Sequence, residues 1–388
     1  MIILYKPQIM EEGSKTIIRS AYKLDNKTDY LWFSFSKNYK NYLVTENLDA
    51  FVVGLLLLAM KRGEDIELKA PISERLYYTL NHYLINALNL ANLDLKKIKI
   101  LATELNSARL NTSTVAGTGI SCGVDSFSTI YDHINDAEPF KIKYYTFLNA
   151  GSHEEFGGEL SRKIFRDRLQ LVKPFADECN IDILTIDTNI NEILMMNHQQ
   201  THTIRDIACV LNLQKLFKYY YYASAYRFDY FKLNKFDMAD YDILLLSMLS
   251  TESITFFSAV SQYTRVERTE NISNYEPTYR HLNVCAASNG TSVENCSICP
   301  KCLRTQLTLD LLGKLHLYNK VFNINKYYQK KDWYIGKVLS EKNSDMHCKE
   351  IYDLMKVKKY NISLKSYFYF SIIHVKKRLK KLLKDDVK

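Results

Sequence analysis

The stretch Thr112-Ser113-Thr114-Val115-Ala116-Gly117-Thr118-Gly119-Ile120-Ser121-Cys122-Gly123-Val124-Asp125-Ser126 decides how the chain reads. Residues 112–120 carry the β-branched and small apolar content of a strand, and a helix opens near Val124 and runs through His133. A strand-to-helix turn of this kind cradles phosphate when its backbone is thin. It needs N–H groups aimed at the anion, no bulky side chains, and a helix N-terminus behind it. Gly117, Gly119 and Gly123 supply the thin backbone, and Ser121 and Ser126 add hydroxyl donors. Asp125 is unexpected there, because a carboxylate repels phosphate. A Mg²⁺ ion shared between carboxylate and phosphate oxygens removes the conflict. The plainer alternative is an ordinary turn with serine caps. The pattern G-x-x-x-x-G-K-[ST] is absent, which argues against a kinase-like ATPase.

On either side of this turn, from about Asn111 to Leu317, strands and helices alternate. Lys143–Leu148 and Ile181–Asp187 read as strands, Glu154–Asn180 as largely helical and Thr203–Tyr222 as a further helix. Strands separated by helices of this length predict right-handed crossovers and a parallel sheet covered on both faces. Ligands bind such sheets beyond the C-terminal ends of the strands. His153 and Glu154 fall at one such end, and His198, His202 and Arg205 near another. Each is either a functional group or ordinary loop polarity.

Cys285-x10-Cys296-x2-Cys299-x2-Cys302 has the spacing of a tetrahedral thiolate site for Zn²⁺. The overlapping C-x-x-C steps form a knuckle, and Cys285 closes the shell across a loop containing Asn289-Gly290. Four thiolates leave no open coordination position, so the metal is structural. Lys301 and Arg304 are tied to this knuckle. With Arg265 and Arg268 they are candidates to neutralise charge at a phosphate.

The hexamer Ser121–Ser126 resembles the fingerprint S-G-G-x-D-S of the PP-loop ATP pyrophosphatases, with Cys122 in place of the first glycine. The resemblance implies an α/β fold of the adenine nucleotide alpha hydrolase type, with ATP held at Ser121, Cys122, Gly123, Val124, Asp125 and Ser126. Together with the cysteine spacing, the chain resembles the 7-cyano-7-deazaguanine synthase family over residues 111–310. Thr264-Arg265-Val266-Glu267 is similar to that family's T-K-A-E. This second resemblance implies adenylation of a carboxylate, release of pyrophosphate and coupling to a nitrogen nucleophile, that is, a C–N bond-forming ATP-dependent ligase. Asp125, Arg265 and Lys301 are its expected catalytic residues, and ATP, Mg²⁺ and Zn²⁺ its cofactors. The segment Asn149–Glu155 departs from the family's Y-G-Q-type signature, which leaves the acceptor, a small molecule or a macromolecule, open. RNA thiolation and a zinc-bearing binding module with an inactive loop are the rival readings.

The chain thus reads as three regions: a small α/β domain over 1–110, the PP-loop domain with its knuckle over 111–318, and a basic helical tail over 319–388. In the first, Met1–Lys6, Thr16–Leu24, Tyr30–Ser36, Ile66–Leu68 and Lys97–Thr103 read as strands. Leu48–Arg62, closed by Gly63, and Ser73–Leu90 read as helices. In the tail, Tyr367-Phe368-Tyr369-Phe370 precedes a lysine-rich run through Lys384. That run is compatible with nucleic acid or another anionic surface. The 388 residues are 47% hydrophobic, enough for two cores. The formal charge of +9 admits an anionic partner without demanding one. The longest apolar run, Phe51–Met60, is too short to cross a bilayer, and the start carries no secretion pattern. With scattered single cysteines these features predict a cytoplasmic protein. A homodimer is compatible with all of this.

Overall fold

A computed structural model describes residues 1–285 and 295–385; Asn289 and Gly290 lie outside them. The chain divides into two compact units. One comprises Met1–Ser121 with Asp132–Gln262, the other Cys122–Tyr131 with Tyr263–Lys388.

The first unit holds the sheets. Its N-terminal strands are β1 (Ile2–Leu4), β2 (Gln8–Glu12), β3 (Lys15–Leu24), β4 (Lys27–Ser36), β5 (Ile66–Leu68), β6 (Ile72–Ser73), β7 (Ile100–Ala102) and β8 (Leu105–Asn106). They are followed by β9 (Val115–Gly119), β10 (Ile142–Asn149), β11 (Asp182–Thr188), β12 (Phe217–Ala223) and β13 (Thr255–Ala259). The main sheet runs β13-β12-β9-β10-β11-β4-β3-β1-β5-β7, with β2 on β3; β6 and β8 pair separately. The strands from β13 to β11 are parallel throughout. The turn to antiparallel comes where β4 meets β11, at Asp187 opposite Ser34 and Thr188 opposite Phe33. The strands of the first 110 residues are thus continuous with the parallel sheet, not closed on themselves.

Burial follows chemistry. In β3, Thr16, Ile18, Ser20 and Tyr22 are buried and alternate with half-buried neighbours, the period of a sheet with one face on the core. Helix α1 (Asp49–Arg62) is apolar nearly all round, and Phe51, Val52, Val53, Leu55, Leu56 and Leu57 are each fully buried. Each contributes about 1.5–3 kcal/mol by leaving water. Gly63 ends the helix at φ 73°, where glycine has no Cβ penalty. The expected helix from Ser73 is present as α2 (Glu74–Thr79), one wide turn over 80–84, and α3 (Ile85–Ala91). The remaining helices of this unit are α5 (Gly158–Cys179), α6 (Ile190–Leu194), α7 (His202–Leu211) and α8 (Asp242–Leu249), with α4 (Val124–Asp132) leaving it for the second.

One expectation fails. The helix read over Thr203–Tyr222 stops at Leu211, and Phe217–Ala223 is strand β12. Phe217-Lys218-Tyr219-Tyr220-Tyr221-Tyr222 is aromatic-rich, and such rings favour a pleated surface packed on both sides. Phe217, Tyr220 and Tyr221 are buried there.

The second unit is helical: α4, α9 (Arg265–Ile272), α10 (Thr278–His281), α11 (Pro300–Leu311), α12 (Ile324–Glu341), α13 (Met346–Val357) and α14 (Leu364–Asp385). The last three form the predicted helical tail. No helix among the described residues is long and apolar enough to cross a membrane.

Candidate active site and metal centre

The knuckle assembles from short-range hydrogen bonds. The backbone N–H of Cys296, Cys299 and Cys302 donates to the sulfur of Cys285 (3.5 Å), Cys296 (3.3 Å) and Cys299 (3.5 Å) in turn. Ser297 takes φ 65°, the bend that lets the chain fold back on its own sulfurs. Its hydroxyl accepts from Asn323 N–H at 2.8 Å, which offsets the strain of a side chain in that region. Pro300 opens α11 where a missing N–H costs nothing. The four sulfurs all lie within 4.8 Å of one another, with Cys296 and Cys302 at 3.9 Å. A tetrahedron with Zn–S bonds of about 2.3 Å has edges of about 3.8 Å, so the donor set fits a metal such as zinc.

The knuckle is bonded to the turn. Asn283 N–H donates to the Cys122 carbonyl at 2.8 Å, two residues before the ligand Cys285. Asn295, one residue before Cys296, holds the same segment through Leu282 O (2.7 Å) and Val284 N (2.8 Å). Cys122 itself is buried and sits at φ 54°, a left-handed conformation that glycine adopts freely. The substitution in the fingerprint therefore stands where glycine is conformationally favoured. Gly117 has a different reason. A Cβ there would lie 2.4 Å from the Phe217 ring, so its glycine makes room for a core aromatic, and Gly119 has ordinary clearance.

Asp125, in the first turn of α4, is the anchor of a charged cluster within the second unit. Arg265 reaches its Oδ2 at 2.8 Å and Arg268 its Oδ1 at 2.7 Å. The two arginines lie one turn apart on one face of α9. That helix begins with a capping box in which Thr264 Oγ1 accepts from Glu267 N–H and Glu267 accepts from Thr264 N–H. The resemblance at Thr264–Glu267 thus has a local cause: Thr and Glu cap the helix that presents Arg265. Lys301 and Arg304, in the first turns of α11, lie within electrostatic reach of Asp125. Burial alone would raise the Asp125 carboxyl, and the Arg265 and Arg268 guanidinia outweigh it and hold it below the ordinary range. Burial, followed by the Arg265 and Arg304 charges, pulls the Lys301 ammonium down. Arg265 Nε and Arg304 Nε are buried donors with no acceptor among the described residues.

The tail contributes two groups that sequence reading missed. Glu350 Oε2 accepts from Arg265 N–H at 3.0 Å, and His347 sits in the field of Arg304 and Arg265. Burial and those cations bring His347 down to about 3. No spacing signal links residues 345–350 to Asp125; the α13 cap, Asp345 accepting from Cys348 N–H at 2.8 Å, was the one local cue.

In the first unit, the ends of β10, β11 and β12 gather a separate polar group. His153 is 8% exposed and lies against Phe147 and Phe165 at 5.1 and 5.3 Å. Burial and Arg168 bring it down to about 3, and neither ring nitrogen has a partner in bonding geometry among the described residues. Burial, then His202 and Arg205, do the same to His198. His202 Nδ1 contacts Tyr222 Oη at 2.9 Å. Arg205 is fully buried and donates to Glu155 O (3.1 Å), Asn191 Oδ1 (2.8 Å) and Met196 O. That guanidinium fastens two loops together through Nη1 and Nη2, and its Nε has no acceptor among the described residues. Gly151 at φ 115° fits beneath it, since a Cβ would stand 2.7 Å from Arg205 Nη1.

No family model matches the chain, and neither the curated proteins nor the solved structures supply a relative.

Proposed function

We propose that the protein adenylates a carboxylate with ATP, releases pyrophosphate, and transfers the activated acyl group to a nitrogen nucleophile, in the manner of the 7-cyano-7-deazaguanine synthase family. The observation that carries this reading is the cluster on Asp125: Arg265 and Arg268 paired with one carboxylate at the head of α4, Lys301 and Arg304 within its electrostatic reach, and Arg265 Nε and Arg304 Nε without acceptors among the described residues. Buried donors of this kind call for an acceptor-rich ligand, and a triphosphate tail is one. Asp125 supplies the oxygen that Mg²⁺ requires, and bound Mg²⁺ would screen that carboxylate from the phosphates. With Asp125 engaged by Mg²⁺, Arg265 and Arg268 would be free to face the departing pyrophosphate, whose growing charge fixed cations stabilise. Arg265 and Lys301 are assigned to that charge and Asp125 to the metal. Coupling requires the carboxylate oxygen to attack the α-phosphorus as the bond to pyrophosphate breaks. The nitrogen then attacks the acyl carbon, expels AMP and gives up a proton.

The test is pyrophosphate release from ATP–Mg²⁺ across a panel of carboxylates. Wild-type protein should release it with at least one, and Asp125→Asn should lose about 100-fold or more. Release undiminished in that variant would remove Asp125 from the chemistry.

A second reading is a zinc-bearing module with a silent loop. It draws on the two ion pairs that already occupy Asp125 and on the strained backbone at Cys122. Isothermal titration separates the two, because a silent module shows no ATP–Mg²⁺ binding. RNA thiolation draws less support, since the Cys122 thiol it would need is buried.

A further inference from the structure

The tail's last helix has two faces, and only one is occupied within its unit. On the inner side Ser366 is fully buried, and its hydroxyl donates to Asp332 Oδ1 of α12 at 2.9 Å. Gly336 makes that approach close: a Cβ there would stand 2.8 Å from Phe370 N and 2.9 Å from Ser366 O. Lys377 pairs with Glu341 of α12 at 2.9 Å. At about 100° per residue, Leu364, Phe368 and Val375 fall on the opposite side. They are 89%, 62% and 55% exposed, and Tyr367 beside them is 49% exposed. Helix docking therefore buries one stripe and leaves a second apolar stripe in water.

The charge of the segment that carries the stripe selects its occupant. Residues 364–388 hold eight lysines and arginines against two aspartates, +6 of the chain's +9, and of the eight Lys365 and Lys377 are paired with Asp332 and Glu341 of α12. Two copies of this segment meeting along the stripe would bring two segments of +6 together, which disfavours self-association. Nucleic acid would satisfy the lysines but leave Leu364, Phe368 and Val375 wet. An anionic lipid surface takes both, with apolar side chains entering the headgroup boundary and lysines meeting lipid phosphate and carboxylate. We infer that α14 is an interfacial anchor that seats the protein on an anionic bilayer, parallel to its plane.

Flotation of the full-length protein with vesicles tests this. With phosphatidylcholine and phosphatidylserine at about 2:1 and about 0.1 M salt, most of the protein should float. Neutral phosphatidylcholine vesicles, or about 0.5 M salt, should cut binding roughly 10-fold. The variant Leu364→Ser/Phe368→Ser/Val375→Ser changes only outward positions, so its zinc content and circular dichroism should match wild type while flotation is lost. Failure to float with any vesicle overturns the proposal, as does flotation unchanged by the triple substitution. A triple variant that instead converts a dimer to a monomer, or abolishes binding of a single-stranded RNA oligonucleotide, overturns it in favour of that occupant. None of these outcomes depends on ATP chemistry, so the anchor and the adenylation reading stand or fall separately.

Discussion

Cys122 sits at φ 54° with a Cβ that glycine would lack, and that geometry costs about 1–2 kcal/mol for an ordinary side chain. Cys122→Gly relieves the strain but gives up a small buried group, so the two effects nearly cancel. Stability of the variant should stay within about 1 kcal/mol of wild type in urea titration, with pyrophosphate release retained. Cys122→Val adds a β-branch in the same conformation and should lose about 2 kcal/mol or more. His153 gives a second residue-scale prediction. Its folded value near 3 lies below that of an unfolded histidine near 6.5, so the unfolded chain binds the extra proton between these limits. Stability should fall as pH drops from about 6.5 toward 3, by up to about 1.4 kcal/mol per unit from this residue. His153→Leu should flatten that slope; an unchanged slope would show that the ring is not held neutral in the fold.

At the scale of elements, α9 presents Arg265 and Arg268 only if its first turn is in place. Thr264→Ala removes one half of the capping box and should cost about 1 kcal/mol in stability. On the role proposed for Arg265, it should also lower pyrophosphate release more than it weakens carboxylate binding; Thr264→Ser should restore both. The segment Thr264–Glu267 is visible in the sequence as a family resemblance, yet its capping role emerges only with Glu267 bonded to Thr264 N–H. β12 escapes sequence reading for a related reason. Phe217–Tyr222 comes after α7 and a short turn with no glycine or proline to announce a break, so nothing local interrupts the helical period. The neighbours decide it: Phe217 pairs beside Val115 and Tyr220 beside Gly117, partners about a hundred residues away. The knuckle is legible to the residue, since a tetrahedral metal fixes ligand spacing along the chain. Glu350 and His347 are not, because they meet Arg265 through helix packing within the second unit.

For the whole molecule, hydrogen bonds join the four-cysteine cluster to the turn. Asn283 bonds Cys122 directly, and Asn295 ties Asn283's neighbours Leu282 and Val284 to the residue before Cys296. Lys301 and Arg304 ride on α11, whose N-cap is the ligand Cys299. With a metal bound to the four sulfurs, its loss would unpin them, free that cap and release the segment that fixes Cys122. A structural zinc site contributes about 10 kcal/mol or more of apparent folding free energy, far beyond what the remaining hydrogen bonds of this segment supply at about 1 kcal/mol each. Zinc removal by a chelator with a thiol-reactive mercurial, or Cys299→Ser, should therefore make residues 263–388 protease-sensitive. ATP–Mg²⁺ affinity should fall at least about 10-fold in the same samples. Readdition of zinc after the mercurial is displaced by excess thiol should recover both in the wild-type chain but not in Cys299→Ser. If the stripped protein instead binds ATP–Mg²⁺ with its affinity intact, the knuckle is a staple for its own loop and the bond from Asn283 to Cys122 carries no functional coupling.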